Sequence, residues 1–223
     1  MGSIRNSLFL AVIATVLCVA IGLSISYLTT RVKVAGSWLL DSMAMLPLAV
    51  PGLVLAFGYV AMSLAWPFRP AAEALEGHGF KTAASFLQIT STNPNPFLFL
   101  IVAYAIRRLP YVVRAASAGL EQTSGELEEA ALNLGASQLT AIRRIVVPLI
   151  TANLIAGAIL AFSFSMLEVS DSLILAQREN HYPITKAIFE LFNRLGDGPY
   201  IASAMGVWGM ALLTVTLVGA SVL

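Results

Sequence analysis

The sequence has 223 residues, of which 58% are hydrophobic and 11% charged, with a formal net charge of +1. Soluble domains carry about 25% charged residues, so this composition, with a mean hydropathy of +0.82, predicts an integral membrane protein and gives no support for nucleic-acid binding. The single cysteine, Cys18, excludes a disulfide framework and a cysteine-based metal site.

A helix needs roughly 20 apolar residues to cross the hydrocarbon core. Five runs meet that length, at residues 7–28, 42–68, 96–120, 145–167 and 199–223. The expected fold is therefore all-α, a single helical membrane domain over residues 1–223. The first run follows Arg5 but is longer than a signal-peptide core, and Leu17 before Cys18 does not fit a lipoprotein cleavage site, so it is read as a span. Pro47, Pro51 and Gly52 predict a kink or break in the second span. The link at residues 69–95 contains Gly and Pro signals, including TSTNPNP, and is expected to be irregular. The link at 169–198 holds Ile184, Ile188, Leu191 and Leu195 at helical spacing, which suits a helix lying over the bundle or along a surface. His78 and His181 fall in loop-like contexts and are read as surface residues.

Arg31 and Lys33 lie between the first two spans, and Arg143 and Arg144 precede the fourth. Basic residues in short links favour the cytoplasm. Residues 29–41 and 120–144 are therefore expected inside and both long links outside, with the N-terminus outside and the C-terminus inside. The fifth run has no polar flank after it. The expectation is part of a longer chain, with at least one earlier span missing.

The most polar helical stretch is GELEEAALNLGASQLTAIRRIVVP, residues 125–148. Thr123 with Glu126 fits a capping box, and Glu126, Glu128 and Glu129 fall where the helix dipole favours acids. Leu127, Ala130, Ala131 and Leu134 make a narrow apolar stripe. Gly135 fits the left-handed position that ends a helix, and Ser137 can cap the next one. Pro148 is expected just inside the fourth span. The physical reading is an amphipathic helix at about 124–135, a glycine corner, and a helix rising into the membrane. Such an elbow either joins two spans or docks a partner.

Glu129-Ala130-Ala131, three residues, Gly135, nine residues, Ile145, one residue and Val147-Pro148 resemble the EAA loop of permease subunits in ATP-driven, binding-protein-dependent importers of the ABC class. Val147 stands where that family usually has leucine. NSLFLAVIATVLCVAIGLSISYL, LPLAVPGLVLAFGYV and RRLPYVVRAASAGLEQ extend the likeness over almost the whole chain. RRLPYVVRA and LEVSDSLILA are most similar to the ferric iron, phosphonate, thiamine and polyamine branch. The resemblance implies a multi-pass subunit of the bacterial plasma (inner) membrane. It implies an ABC ATPase dimer, a second permease chain or copy, and an extracytoplasmic solute-binding protein as partners. Glu128, Glu129, Ala130, Ala131, Gly135 and Pro148 would form the ATPase coupling element. ATP and Mg would sit on the partner ATPase. This chain is expected to bind no cofactor, and no GxxxxGK[ST] phosphate loop occurs in it.

Ionisable residues at membrane depth are candidates for a transport path. Arg107 and Arg108 lie about eleven residues beyond Pro96, roughly 16 Å along a helix. They would either face an aqueous path or anchor the inner interface. In a path they would attract an anionic substrate or a metal bound with an anion, which favours ferric iron or an organophosphonate. Asn153, Ser163, Glu168 and Asp171 complete the candidate path. The alternative for Asn153 and Ser163 is bonding between helices, and for Glu168 and Asp171 a solvated outer rim. A carrier or channel without an ATPase, or a membrane scaffold, are the competing functions. A carrier would need a coupling-ion site and related halves, and neither is visible.

Overall fold

The computed structural model describes residues 2–90 and 94–221. Among these, all regular elements are helical, as the apolar runs predict. Helix α1 spans Gly2–Tyr27 and continues as a π-helical turn over Leu28–Val32. Helices α2 (Ser37–Ala49) and α3 (Gly52–Leu64) form the second span, bent by 107° at Val50–Pro51. The predicted break is thus present, placed after Pro47 because Val50 turns extended and Pro51 opens the next helix.

The link expected to be irregular instead contains α4 (Phe68–Gly77) and α5 (Lys81–Ser85). Pro67 starts α4, Arg69 pairs with Glu73 one turn on at 2.9 Å, and Ala72 is buried. The Ala- and Glu-rich helix formers outweigh the glycines there. Residues 91–93 of TSTNPNP lie outside the described set.

Helix α6 (Phe97–Gln122) begins at Pro96 as expected and runs unbroken past Pro110. At 26 residues it is about 39 Å long. It carries Arg107, Arg108 and Arg114, so it lacks the uniformly apolar surface of a lipid-facing span; α1, α2, α3, α10 and α11 surround it instead. Then follow α7 (Glu126–Asn133), α8 (Gln138–Ala141), a π-turn at Ile142–Val146, α9 (Val147–Leu149) and α10 (Thr151–Met166). The axis turns by 76° between Leu149 and Thr151. Residues 145–150 therefore belong to the elbow, and the fourth membrane helix is α10 alone. Pro148, lacking an N–H, prevents a straight continuation, and Ile150 takes up the turn (φ −102°, ψ 14°).

Beyond α10 come α11 (Ser170–Leu175), a 3₁₀ turn at Glu179–His181, α12 (Ile184–Phe192) and α13 (Gly198–Ser221). Helix α12 packs on α13 and α1, with Ile184 and Ala187 buried. This is the helix-over-the-bundle arrangement, although Leu195 falls beyond the helix and is exposed. His78 is exposed, but His181 is half-buried and meets Phe97 edge-on at 5.3 Å. Burial, then the Arg178 charge, lowers its pKa.

Helices α1, α6 and α10 close through small residues, because association in lipid depends on close packing. A Cβ on Gly22 would lie 2.9 Å from Val112 Cγ1, and one on Gly157 2.9 Å from the Ala115 Cβ. Cys18 Sγ and Ser26 Oγ, both on α1, donate to the Ala105 and Val113 carbonyls of α6 at 3.1 and 2.9 Å. Gly157→Val should destabilise the detergent-solubilised protein by about 1–3 kcal/mol, read as a lower melting temperature. Gly206→Val, whose new Cβ meets open space, should leave it unchanged.

Candidate functional site

The arginine pair of α6 is buried in the bundle. The Arg107 and Arg108 side chains are each 12% exposed, and they face Glu168 and Asp171, 5% and 1% exposed. Arg107 Nε lies 3.7 Å from both Glu168 Oε2 and Asp171 Oδ2. Arg108 forms an ion pair with Glu168, donates to the Phe164 carbonyl at 3.1 Å, and places its guanidinium 5.7 Å from the Phe164 ring centre. The chain folds back where α10 ends, and this carries both acids inward onto α6. Glu168 accepts the Ser170 N–H at 3.1 Å, which fixes its carboxylate at the start of α11.

Glu168 and Asp171 are therefore not solvated rim charges. Two arginines and two acids give a group with no net charge, so the arginines are already paired in this conformation. The anion attraction expected of them requires the pairs to open. Several buried atoms, including Arg107 Nη2, Arg108 Nε and Asp171 Oδ1, have no protein hydrogen-bond partner. Buried polar groups ordinarily have one, so hydrogen bonding within the cluster is incomplete at these atoms.

The cluster also contacts the break in the second span. A Cβ on Gly52 would collide with the Arg107 guanidinium and lie 2.6 Å from Ser170 Oγ. Only glycine admits this approach. The sequence suggested the break and the arginines separately, and no spacing rule linked them.

Asn153 and Ser163 do not join this group. Asn153 fits against Gly119, whose Cβ would come within 2.9 Å of its amide group. Ser163 Oγ donates to Thr216 Oγ1 on α13 at 2.9 Å. Both serve contacts between helices, the alternative to a path role.

The elbow is built differently at its two ends. Thr123 is not the N-cap of α7. It is the extended C-cap of α6, its hydroxyl directed to the Leu120 carbonyl at 3.2 Å, while Ser124 Oγ accepts the Glu126 N–H at 3.2 Å. Arg31 Nη2 takes both Thr123 oxygens, at 2.7 and 2.8 Å, and so draws this residue toward α1. At the far end Gly135 has φ +89°. Gly135 N–H bonds the Leu132 carbonyl at 2.9 Å and Ala136 N–H the Ala131 carbonyl at 3.0 Å, the paired bonds of a Schellman ending. Ser137 then caps α8, accepting the Thr140 N–H at 3.3 Å.

Glu128 turns inward. It is 8% exposed and accepts a hydrogen bond from the Tyr27 hydroxyl. It therefore holds the elbow to α1 and is not on the face offered to a partner. Glu129, Ala130, Gly135 and Pro148 are exposed and Ala131 half-buried. Leu127, Leu132, Leu134 and Leu139 are also exposed, Leu134 at 90%. Tyr27 and Arg31 were not legible as elbow residues, because their contacts span 92 to 101 residues of sequence.

A bundle of helices thus encloses buried charges, and an elbow with exposed leucines joins two of them. The chain belongs to the binding-protein-dependent transport system inner membrane component family, whose model matches residues 18–222. It is 32% identical over 205 residues to the ferric transport system permease protein FbpB of Actinobacillus pleuropneumoniae, covering 92% of this chain and 26% of that one. It is 32% identical over 173 residues to the sulfate transport system permease protein CysT of Salmonella typhimurium, covering 77% of this chain and 57% of that one. The chain thus spans about a quarter and a little over half of these two relatives. Its fold matches a chain in the crystal structure of a bacterial alginate ABC transporter in complex with an alginate pentasaccharide-bound periplasmic protein. The TM-score is 0.66 at 18% identity, over 98% of this chain and 76% of that one.

Removing one partner of a buried ion pair costs about 3–5 kcal/mol, because the other charge is stranded. Arg108→Ala and Glu168→Ala should each lower stability on that scale. The double variant should lose less than the sum by about 1–3 kcal/mol. Denaturation in detergent measures this, and strict additivity would mean that the two groups do not pair.

Proposed function

We propose that this chain is the membrane-spanning permease of an ATP-driven solute importer. It forms the translocation path together with a second permease chain or copy. An extracytoplasmic binding protein delivers the substrate, and a separate ATPase dimer carries ATP and Mg. The chain itself is not an enzyme. In this reading the elbow lies in the cytoplasm and α7 docks into a cleft on the ATPase.

The observation that carries the reading is the elbow's outer face. Leu127 and Leu134, seven residues apart and so on one side of the helix, are exposed. Rigid capping at Gly135 presents them at a fixed angle. Exposed apolar side chains grouped in this way mark an interaction site. Family membership supplies the partner's class.

The substrate path runs past Arg107, Arg108, Glu168, Asp171 and the Gly52 break, which shift when the ATPase closes. Ferric iron retains support as substrate, because one relative is named for it. Neither relative is named for an organophosphonate; sulfate stands there instead. The paired state of the arginines no longer singles out an anion, so the cargo of the cognate binding protein decides between iron and an oxyanion.

Leu127→Ser with Leu134→Ser should abolish co-purification of the ATPase while leaving the permease folded. Gly135→Val should uncouple ATP hydrolysis from transport or lose the ATPase, since a β-branched residue resists φ of +89°. Normal assembly and transport in Gly135→Val would contradict the corner. A carrier would run without an ATPase, and a scaffold would bind its partner without substrate-dependent ATP hydrolysis.

A further inference from the structure

The chain changes direction at both ends of the elbow. Toward α6 it passes through extended Thr123 (φ −103°, ψ 137°). Toward α10 it turns by 76° at Ile150. Val146 and Ile150 pack against Ala116 and Leu120 of α6 there. Side chains also tie the elbow to α1. Tyr27 donates to Glu128 and accepts from Gln138 Nε2 at 3.5 Å, so one hydroxyl meets the helices on both sides of the Gly135 corner. Four residues on, Arg31 grips Thr123.

The other end of α1 is clamped as well. Asn6 Nδ2 donates to the Asn180 and Tyr182 carbonyls at 2.9 and 3.2 Å. Ser7 Oγ accepts the Ile184 N–H at 2.8 Å. Both side chains are buried, at 5% and 1% exposure. Phe9 and His181 flank Phe97 at 5.9 and 5.3 Å. The next residue along, Thr185, donates to the Glu168 carbonyl at 2.6 Å, which reaches the charge cluster. Between the two clamps α1 is one uninterrupted α-helix.

We propose that α1 is a transmission strut, clamped to the elbow by Tyr27 and Arg31 and to the 180–185 segment by Asn6 and Ser7. Movement at the ATPase contact thereby reaches the far end of the bundle and the Glu168 carbonyl by a route separate from the chain connections through Thr123 and Ile150. Tyr27, Asn6 and Ser7 are positioning residues in this account. Coupling between distant sites is carried by packed side chains, hydrogen-bond networks and rigid elements that have two arrangements. The proposal rests on the importer reading, because it requires an ATPase that moves α7.

The test uses the permease–ATPase complex in nanodiscs, with hydrogen–deuterium exchange measured without nucleotide and with Mg-ATP plus orthovanadate. In the unaltered complex, amides of both 126–134 and 180–188 should change exchange between the two states. Tyr27→Phe with Arg31→Ala, and separately Asn6→Ala with Ser7→Ala, should abolish the change at 180–188 while the change at 126–134 persists. Glu128→Gln retains an acceptor for the Tyr27 hydroxyl and should behave as the unaltered complex does. Co-purification of the ATPase reports that each variant is folded and assembled. A change at 180–188 that survives either broken clamp, or that is missing from the unaltered complex while 126–134 responds, overturns the strut. Failure of 126–134 to respond in the unaltered complex overturns the importer reading instead.

Discussion

Two adjacent arginines on a helix in the middle of a membrane bundle constrain the rest of the molecule. Arg107 and Arg108 cannot face hydrocarbon, where a charge costs at least about 2.5–3.5 kcal/mol. Their helix must therefore be enclosed, and α1, α2, α3, α10 and α11 enclose it. Their charges must be answered from the same bundle, and the return of the chain after α10 brings Glu168 and Asp171 to them. Gly52, without a side chain, lets the break in the second span close over the Arg107 guanidinium. Enclosure, fold-back and break are three consequences of one charge problem.

That solution also suits a moving part. A buried group of four charges with several unfilled hydrogen-bond positions is stable only in good geometry, its desolvation offset by pairing and by bonds to the Phe164 carbonyl and Ser170 N–H. A small displacement of α3, α6 or α11 changes the pairing and exposes charge to whatever occupies the space between them. The elbow is the opposite case. Its Schellman ending and the Ser137 cap satisfy its own backbone, and its apolar side chains are left outward. One region holds buried charges with open hydrogen-bond positions, and the other satisfies its own backbone and turns leucines outward.

Features that depend on local spacing were readable in the sequence. The helix start at Pro96, the break near Pro51, the left-handed Gly135 and the Ser137 cap all follow from short-range chemistry, and the structure has each of them. Features that depend on distant partners were not. Thr123 fits a capping box by spacing, but Arg31, 92 residues away, holds it as the end of α6. Glu128 fits an exposed first-turn acid, but Tyr27 draws it inward. Glu168 and Asp171 read from their place after a span as path residues or as rim charges, and only the fold-back shows them on α6. Asn153 and Ser163 read as polar path residues, but their nearest contacts are Gly119 and Thr216. In each case a tertiary partner, invisible to periodicity, overrode a sound local argument.

The central claim is that the elbow meets an ATPase. It is tested most directly by cross-linking from Leu134→Cys, compared with Leu195→Cys, since both positions are almost fully exposed but only the first lies on the elbow. The account predicts a permease–ATPase adduct from Leu134→Cys whose yield changes with Mg-ATP, and none from Leu195→Cys. An ATPase adduct from Leu195→Cys and none from Leu134→Cys would contradict it.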